Sequence, residues 1–241
     1  MSGRLIGVGT GPGDPELLTL KAVRTIAAAD VVAYFAKAGN ASNARAIVAD
    51  HIRPGQAEEA LHYPVTTEID RRHADYKAAT NAFYATAAER IAAHLDAGRS
   101  VAVLSEGDPL FYGSYMHLHV RLAHRYDTEV IPGITAMSGC WSSAGLPLVQ
   151  GDDVLSVLPG TLDEVELSRR LVEADAAVIM KVGRNLPKIR RAIEEAGKLE
   201  DAVYVERGTM ANGHSIKLID KADDIAPYFA LVLVPGWSSR P

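Results

Sequence analysis

Three stretches of this chain place glycine, proline and polar side chains where a strand ends. They are "GVGTGPGD" (Gly7–Asp14), "SEGDPLFYGS" (Ser105–Ser114) and "IPGITAMS" (Ile131–Ser138). Glycine-rich loops of this kind let a ligand approach the backbone, and the usual ligand is a phosphate at a helix N-terminus. The first loop fits no phosphate pattern. G-x-G-x-x-G counted from Gly7 meets Pro12 at its last glycine position, and counted from Gly9 it meets Asp14. No Gly-Lys-Ser/Thr follows. Pro12 and Pro15 stiffen the segment and remove backbone donors. Asp14 adds a carboxylate where an anion would have to come in. A stiff, donor-poor loop with a carboxylate suits a neutral or cationic ligand, and a sulfonium is one.

The second loop follows the same logic. Gly107 permits an unusual backbone angle or a close approach to a ligand, and Asp108 with Pro109 reads as an N-cap and first helical residue. Glu106 and Tyr112 flank this loop and are its candidate proton-handling groups. In the third loop Thr135 and Ser138 are hydroxyls that can cap a helix or donate to a ligand carboxylate. No metal site is expected. His117 and His119 are two apart and point to different helix faces, and there is no H-E-x-x-H or C-x-x-C. Cys140 beside Trp141 reads as apolar filler.

These loops need strands and helices to hold them. Short β-branched runs occur at Leu5–Val8, Val31–Tyr34, Val101–Ser105, Glu129–Ile131, Val154–Leu158, Ala176–Lys181, Val203–Glu206, Ser215–Leu218 and Leu231–Val234. Between several of them lie helical patterns. The clearest covers 70–97, where Ala79, Phe83, Ala87, Ile91 and Leu95 recur every four residues beside Tyr76, Tyr84, Ala88 and Ala92, and Gly98 is a stop signal. The alternation predicts an α/β protein with largely parallel sheets. Nine strands suit two αβ domains, residues 1–131 and 132–241, joined around Thr128–Ala136.

The bulk composition agrees with an enzyme or a small-ligand binder. The chain has 241 residues, 48% apolar and 23% charged, enough for a substantial core. The net charge of −5 is spread evenly: residues 1–131 hold 13 Lys+Arg against 15 Asp+Glu, and the remainder 12 against 15. That evenness excludes a nucleic-acid arm or a membrane-binding tail. A single cysteine cannot form an internal disulfide and suits a reducing compartment. With no signal pattern and no apolar run longer than stretches such as "FALVLVP", a cytoplasmic protein is expected.

Together, "VGTGPGDPELLTLKA", "ADVVAY", "EGDPLFYGS", "IPGITAMS", "AVIMKVG" and "VERGTM", in this order, resemble the tetrapyrrole (corrin/porphyrin) methylase family along the whole chain. The resemblance implies two αβ domains with mixed, largely parallel sheets and a cofactor cleft between them. The first domain would take the substrate side and the second the cofactor side. It also implies S-adenosyl-L-methionine as cofactor, S-adenosyl-L-homocysteine as product and a homodimer. "GDPLFYGSYMHLHVRL", "IPGITAMSGCWSSAGLPL" and "GDDVLSVLPGTL" resemble the branch that methylates precorrin-2 at C-20, giving precorrin-3A in cobalamin biosynthesis. The oxygen-using version of that route is closer than the cobalt-first version. Cobalt-precorrin-2 or another ring carbon is the alternative, and a non-methylating nucleotide-binding module is the alternative of a different class.

By the same resemblance Pro12 lines the cofactor cleft, and Gly107, Asp108 and Leu110 meet the methionine or ribose part. Thr135 and Ala136 hold the adenosine side, Met180 packs on the adenine, and Glu206 and Arg207 flank its edge. One departure stands out. The uroporphyrinogen-methylating branch has Tyr-Asp after the "ADVV" strand, and the Asp is a proposed base; here Tyr34 and Phe35 stand there. Methyl transfer from a sulfonium needs alignment and exclusion of water more than a nucleophilic side chain, and positioning alone can supply roughly 7–11 kcal/mol. A polycarboxylate macrocycle needs local positive charge, for which Arg45, Arg53, Arg71, Arg72 and Arg184 are candidates. Arg184 is the best placed, with Arg45 kept beside it, because Arg184 follows a strand end.

Overall fold

The computed structural model describes residues 3–64 and 74–236. The candidate arginines Arg71 and Arg72, and the first residues of the expected 70–97 helix, lie outside the described residues. The chain forms two compact units, Met1–Thr135 and Ala136–Pro241.

The first unit is built on five strands: β1 (Arg4–Gly9), β2 (Val31–Lys37), β3 (Ala57–Tyr63), β4 (Val101–Ser105) and β5 (Asp127–Ile131). They pair in the order β3-β2-β4-β1-β5, and every pairing is parallel. Parallel strands need crossover helices, which cover both sheet faces. On one face α3 (Ala74–Asp96) and α4 (Tyr115–Leu122) bury Ala87, Ile91, Leu95, Leu118 and Leu122 against Leu5, Val101 and Val103. On the other, α1 (Leu20–Ala28) and α2 (Asn43–Ile47) bury Ala22, Ile26, Ala44 and Ile47 against Val8, Val32 and Leu104. Helix α3 keeps the four-residue apolar stripe read from sequence and ends where expected. Gly98, at φ 77°, donates to the Leu95 carbonyl, and Arg99 donates to that of His94.

Strand β3 was missing from the expected set. Its sequence, AEEALHY, carries two glutamates and no β-branched residue, so neither propensity nor alternation marks it. It sits at the sheet edge, where such residues are tolerated because one side of the backbone faces away from the sheet.

The second unit contains α5 (Ala136–Ser143), β6 (Leu155–Pro159), α6 (Glu164–Glu173), β7 (Ala176–Met180), α7 (Leu186–Glu195), β8 (Val203–Glu206), β9 (His214–Lys217) and β10 (Ala230–Val234). Its strand order is β6-β7-β10-β8-β9. Pair β6–β7 is parallel and joined through α6; pairs β7–β10, β10–β8 and β8–β9 are antiparallel. The last strands are reached without a full crossover helix, so antiparallel pairing is the arrangement open to them. Helices α6 and α7 pack on one face through Leu167, Leu171, Ile189 and Ile193. Among the described residues no helix is long and apolar enough to cross a membrane.

Candidate active site

The topology of the first unit singles out one place. Strands β1 and β4 are neighbours and run level, with Gly9 opposite Ser105. The helix after β1 covers one face of the sheet and the helix after β4 covers the other. The chain leaves these two neighbouring ends towards opposite faces of the sheet, and such C-terminal ends are the usual ligand position in an open parallel sheet. The loops leaving those two ends are "TGPGD" and "EGDPLFYG".

Backbone contacts lock these loops together. Gly11 and Gly107 form an isolated antiparallel bridge, with Gly107 N–H donating to the Gly11 carbonyl at 2.8 Å. The buried Thr10 donates its hydroxyl to the Ser105 carbonyl at 3.2 Å and its N–H to the same carbonyl at 2.8 Å. Gly9, Gly107 and Gly133 meet, with no room for a side chain on Gly9 or Gly133. A Cβ on Gly133 would lie 2.1 Å from the Gly107 oxygen, and one on Gly9 would lie 2.5 Å from the Gly133 nitrogen. The third loop is thereby drawn onto the first two.

The two Gly-Asp-Pro triplets adopt the same local turn. Asp14 accepts from the N–H of Glu16 and Asp108 from that of Leu110, each at 2.9 Å. The second carboxylate oxygen of Asp108 accepts from the Gly133 N–H at 3.2 Å. This corrects the expectation that Asp108 caps a helix starting at Pro109. Helix α4 begins only at Tyr115, because Tyr112 takes a left-handed φ of 55°, which a helix starting at Pro109 could not hold. Between the fixed points Leu110 and Tyr112 stand 48% and 47% exposed. Pro12 is half-buried on the first loop.

Glu106 is reachable by solvent yet deeply surrounded by protein, and that burial raises its pKa. Its carboxylate accepts from the Asn43 side chain and the Ala44 N–H at the start of α2, so it ties the second loop to that helix. Arg45 forms a two-pronged pair with Glu58, Nε and Nη each at 3.0 Å. Tyr34 shares that pair, and its own pKa is raised by burial and by Glu58. The positive charge of Arg45 is thus already matched. Arg53 donates to the Ala29 carbonyl at the end of α1.

In the second unit the ends of β6, β7 and β8 share one edge, since β7 and β8 both run against β10. Three expected residues fall there. Met180, half-buried, closes β7 and accepts from Gly160 N–H at 2.6 Å. Glu206 closes β8 and accepts from the Tyr204 hydroxyl at 2.9 Å and from Arg207 at 2.7 Å. Lys181 and Arg207, each just past a strand end, hold left-handed φ values of 57° and 49°. Strained residues of this kind collect at ligand sites. Arg184 lies exposed in the short turn before α7, with no carboxylate pairing it among the described residues. Ala136 opens α5 and Thr135 precedes it; both are half-buried. Among the described residues no cluster of three His, Cys, Asp or Glu could hold a metal.

A family model described as tetrapyrrole (corrin/porphyrin) methylases matches residues 4–222. The chain belongs to the tetrapyrrole methylases. A protein of Sinorhizobium sp. named precorrin-2 C(20)-methyltransferase is 70% identical over 99% of this chain and 98% of its own length. A cobalt-precorrin-2 C(20)-methyltransferase of Salmonella typhimurium is 27% identical over 97% of each chain. The uroporphyrin-III C-methyl transferase of Thermus thermophilus, solved with S-adenyl homocysteine, matches with a TM-score of 0.65 at 21% identity and covers 96% of each chain. This last likeness establishes the shared fold.

Sequence reasoning passed over Thr10, Gly133 and Ser114 in the methylase fold. The first two carried a signal, since each sits in a glycine-rich loop; Ser114 carried none, because its partners are remote in sequence. Cys140 follows the sequence reading. It is buried against Gly208, and burial pushes its thiol up to about 11 from 9.0. At a given pH its thiolate population is then about 100-fold below that of an ordinary thiol with the starting value. Iodoacetamide should modify the native protein at pH 8 about 100-fold more slowly than the urea-unfolded chain. Equal rates would show that the thiol is open to solvent.

Proposed function

We propose that this tetrapyrrole methylase transfers a methyl group from S-adenosyl-L-methionine to C-20 of precorrin-2, giving precorrin-3A in cobalamin biosynthesis. The observation that carries this reading is the 70% identity, end to end, with the Sinorhizobium protein of that name. The weaker 27% identity with the cobalt-precorrin-2 enzyme favours the metal-free substrate.

The residues present fit such a cofactor. Its sulfonium supplies an activated methyl group and a neutral leaving group. The β1 and β4 loops offer backbone and carboxylate where a pyrophosphate would demand donors. In this reading Pro12, Gly107, Asp108 and Leu110 take the methionine and ribose part. Thr135, Ala136, Met180, Glu206 and Arg207 take the adenosine. Asp108 acts by holding the loops at Leu110 and Gly133, which keeps the Gly107 backbone open to the ligand. Arg184, exposed and without a carboxylate partner among the described residues, receives a substrate carboxylate; Arg45 serves through its pairing with Glu58. Glu106 and Tyr112 are the groups for moving a proton; Tyr112 stands 47% exposed on the loop, while Glu106 reaches solvent with its carboxylate held by Asn43 and Ala44. The chain works as a homodimer in the cytoplasm.

Calorimetry with S-adenosyl-L-homocysteine and a methyl-transfer assay test the reading together. Micromolar binding and turnover of metal-free precorrin-2 are expected. Absence of binding removes the cofactor assignment. Turnover of cobalt-loaded precorrin-2 alone moves the enzyme to the cobalt-first route.

A further inference from the structure

Ser114 stands at the N-cap of α4 and makes no capping hydrogen bond. A serine cap stabilises a helix, so its hydroxyl is committed elsewhere at some cost. It meets two tyrosines. Tyr84, from α3, donates to its Oγ at 3.0 Å, and Tyr63, the last residue of β3, forms a short hydrogen bond with it. Neither tyrosine is loosely held. Tyr84 is 5% exposed, and His117 stacks on its ring at 3.9 Å and 16°. Tyr63 stacks on Phe35 at 5.7 Å and leans on Phe83 at 5.0 Å. Phe35, at the position where the related branch carries an acid, is thus part of the packing under this brace.

We infer that Tyr63, Ser114 and Tyr84 are positioning residues for the tetrapyrrole. They pin the far end of the β4 loop, as Asp108 and Gly107 pin its near end. Tyr112 lies between the two fixed points, exposed and in a left-handed conformation that an unrestrained tyrosine avoids. The brace holds it there, and its ring is the surface on which the macrocycle settles. The near end of the loop, with Gly107 and Leu110, has its own anchors and does not depend on Ser114.

This inference rests on the methylase reading, and its test separates the two. Ser114→Ala should leave S-adenosyl-L-homocysteine affinity within about twofold of wild type while lowering kcat/KM for the tetrapyrrole about tenfold. Ser114→Thr keeps the hydroxyl and should restore most of the loss. Tyr112→Ala should show a similar loss, and Ser114→Ala combined with Tyr112→Ala should be no worse than either alone, because both remove the same held ring. A brace with a purely structural role predicts losses that add, or a fall in cofactor affinity, and either result overturns the assignment. So does a Ser114→Ala enzyme with wild-type kcat/KM. A wild-type protein that binds S-adenosyl-L-homocysteine but methylates no tetrapyrrole overturns the methylase reading itself, and this role with it.

Discussion

Gly133→Ala is expected to weaken S-adenosyl-L-homocysteine binding about 100-fold, or to prevent a stable fold of the first unit. The added Cβ would fall 2.1 Å from the Gly107 carbonyl oxygen and 2.9 Å from the Gly9 Cα. Both are backbone atoms, so no side chain can swing aside. The loops leaving β1 and β4 would have to separate from the third loop, and overpacking of this severity costs about 3 kcal/mol. Gly9→Ala should behave alike, since its Cβ would sit 2.7 Å from the same oxygen. Gly39→Ala is the control. Gly39 has a positive φ, 79°, unlike Gly133 and Gly9, but open space around it, so the cost there is about 1–2 kcal/mol of stability with no change in ligand affinity. Calorimetry and thermal melts on the three variants decide the matter. A Gly133→Ala protein with full affinity would refute the locked-loop account.

The second large effect is expected at Asp108. Its carboxylate accepts from Leu110 N–H on its own loop and from Gly133 N–H on the next. Hydrogen bonds to a charged acceptor contribute about 1.5–3 kcal/mol when partly buried. Asp108→Ala loses both and should lower kcat/KM about 100-fold. Asp108→Asn keeps one carbonyl oxygen, but its amide nitrogen then faces a backbone donor. About a tenfold loss follows for it. Steady-state methyl transfer under identical cofactor saturation measures both. If the asparagine variant is as impaired as the alanine variant, the carboxylate acts directly on a ligand and the loop-holding role is wrong.

The legibility of this protein was uneven for physical reasons. Strands β1, β2, β4 and β7 were readable because buried parallel strands are continuous apolar runs, and VVAYFA and VAVLS are such runs. Edge strand β3 lacked that signature, since its glutamates face out or pair: Glu58 with Arg45, Glu59 with Arg90 and His94. The loop holding Gly107, Asp108 and Pro109 was readable as a ligand loop, but Asp108 was misread as a helix cap. Asx turns and helix caps use the same residues, and only the position of Tyr115 on the far side of Tyr112 and Gly113 tells them apart.

By itself the sequence determined the class of ligand. Pro12 and Asp14 stand at the last glycine position of the two possible fingerprint registers, and that local chemistry speaks against a phosphate cradle whatever the fold. It also determined the family, because six quoted segments recur in order along one chain. Tertiary structure alone decided which residues serve the site indirectly. Tyr63 and Tyr84 lie 51 and 30 residues from Ser114 along the chain, and the Gly9–Gly107–Gly133 junction joins three separate loops. A hydroxyl's use as cap or brace, and a glycine's use as turn or close contact, depend on what the fold brings within a few ångströms. Chain order does not encode that distance.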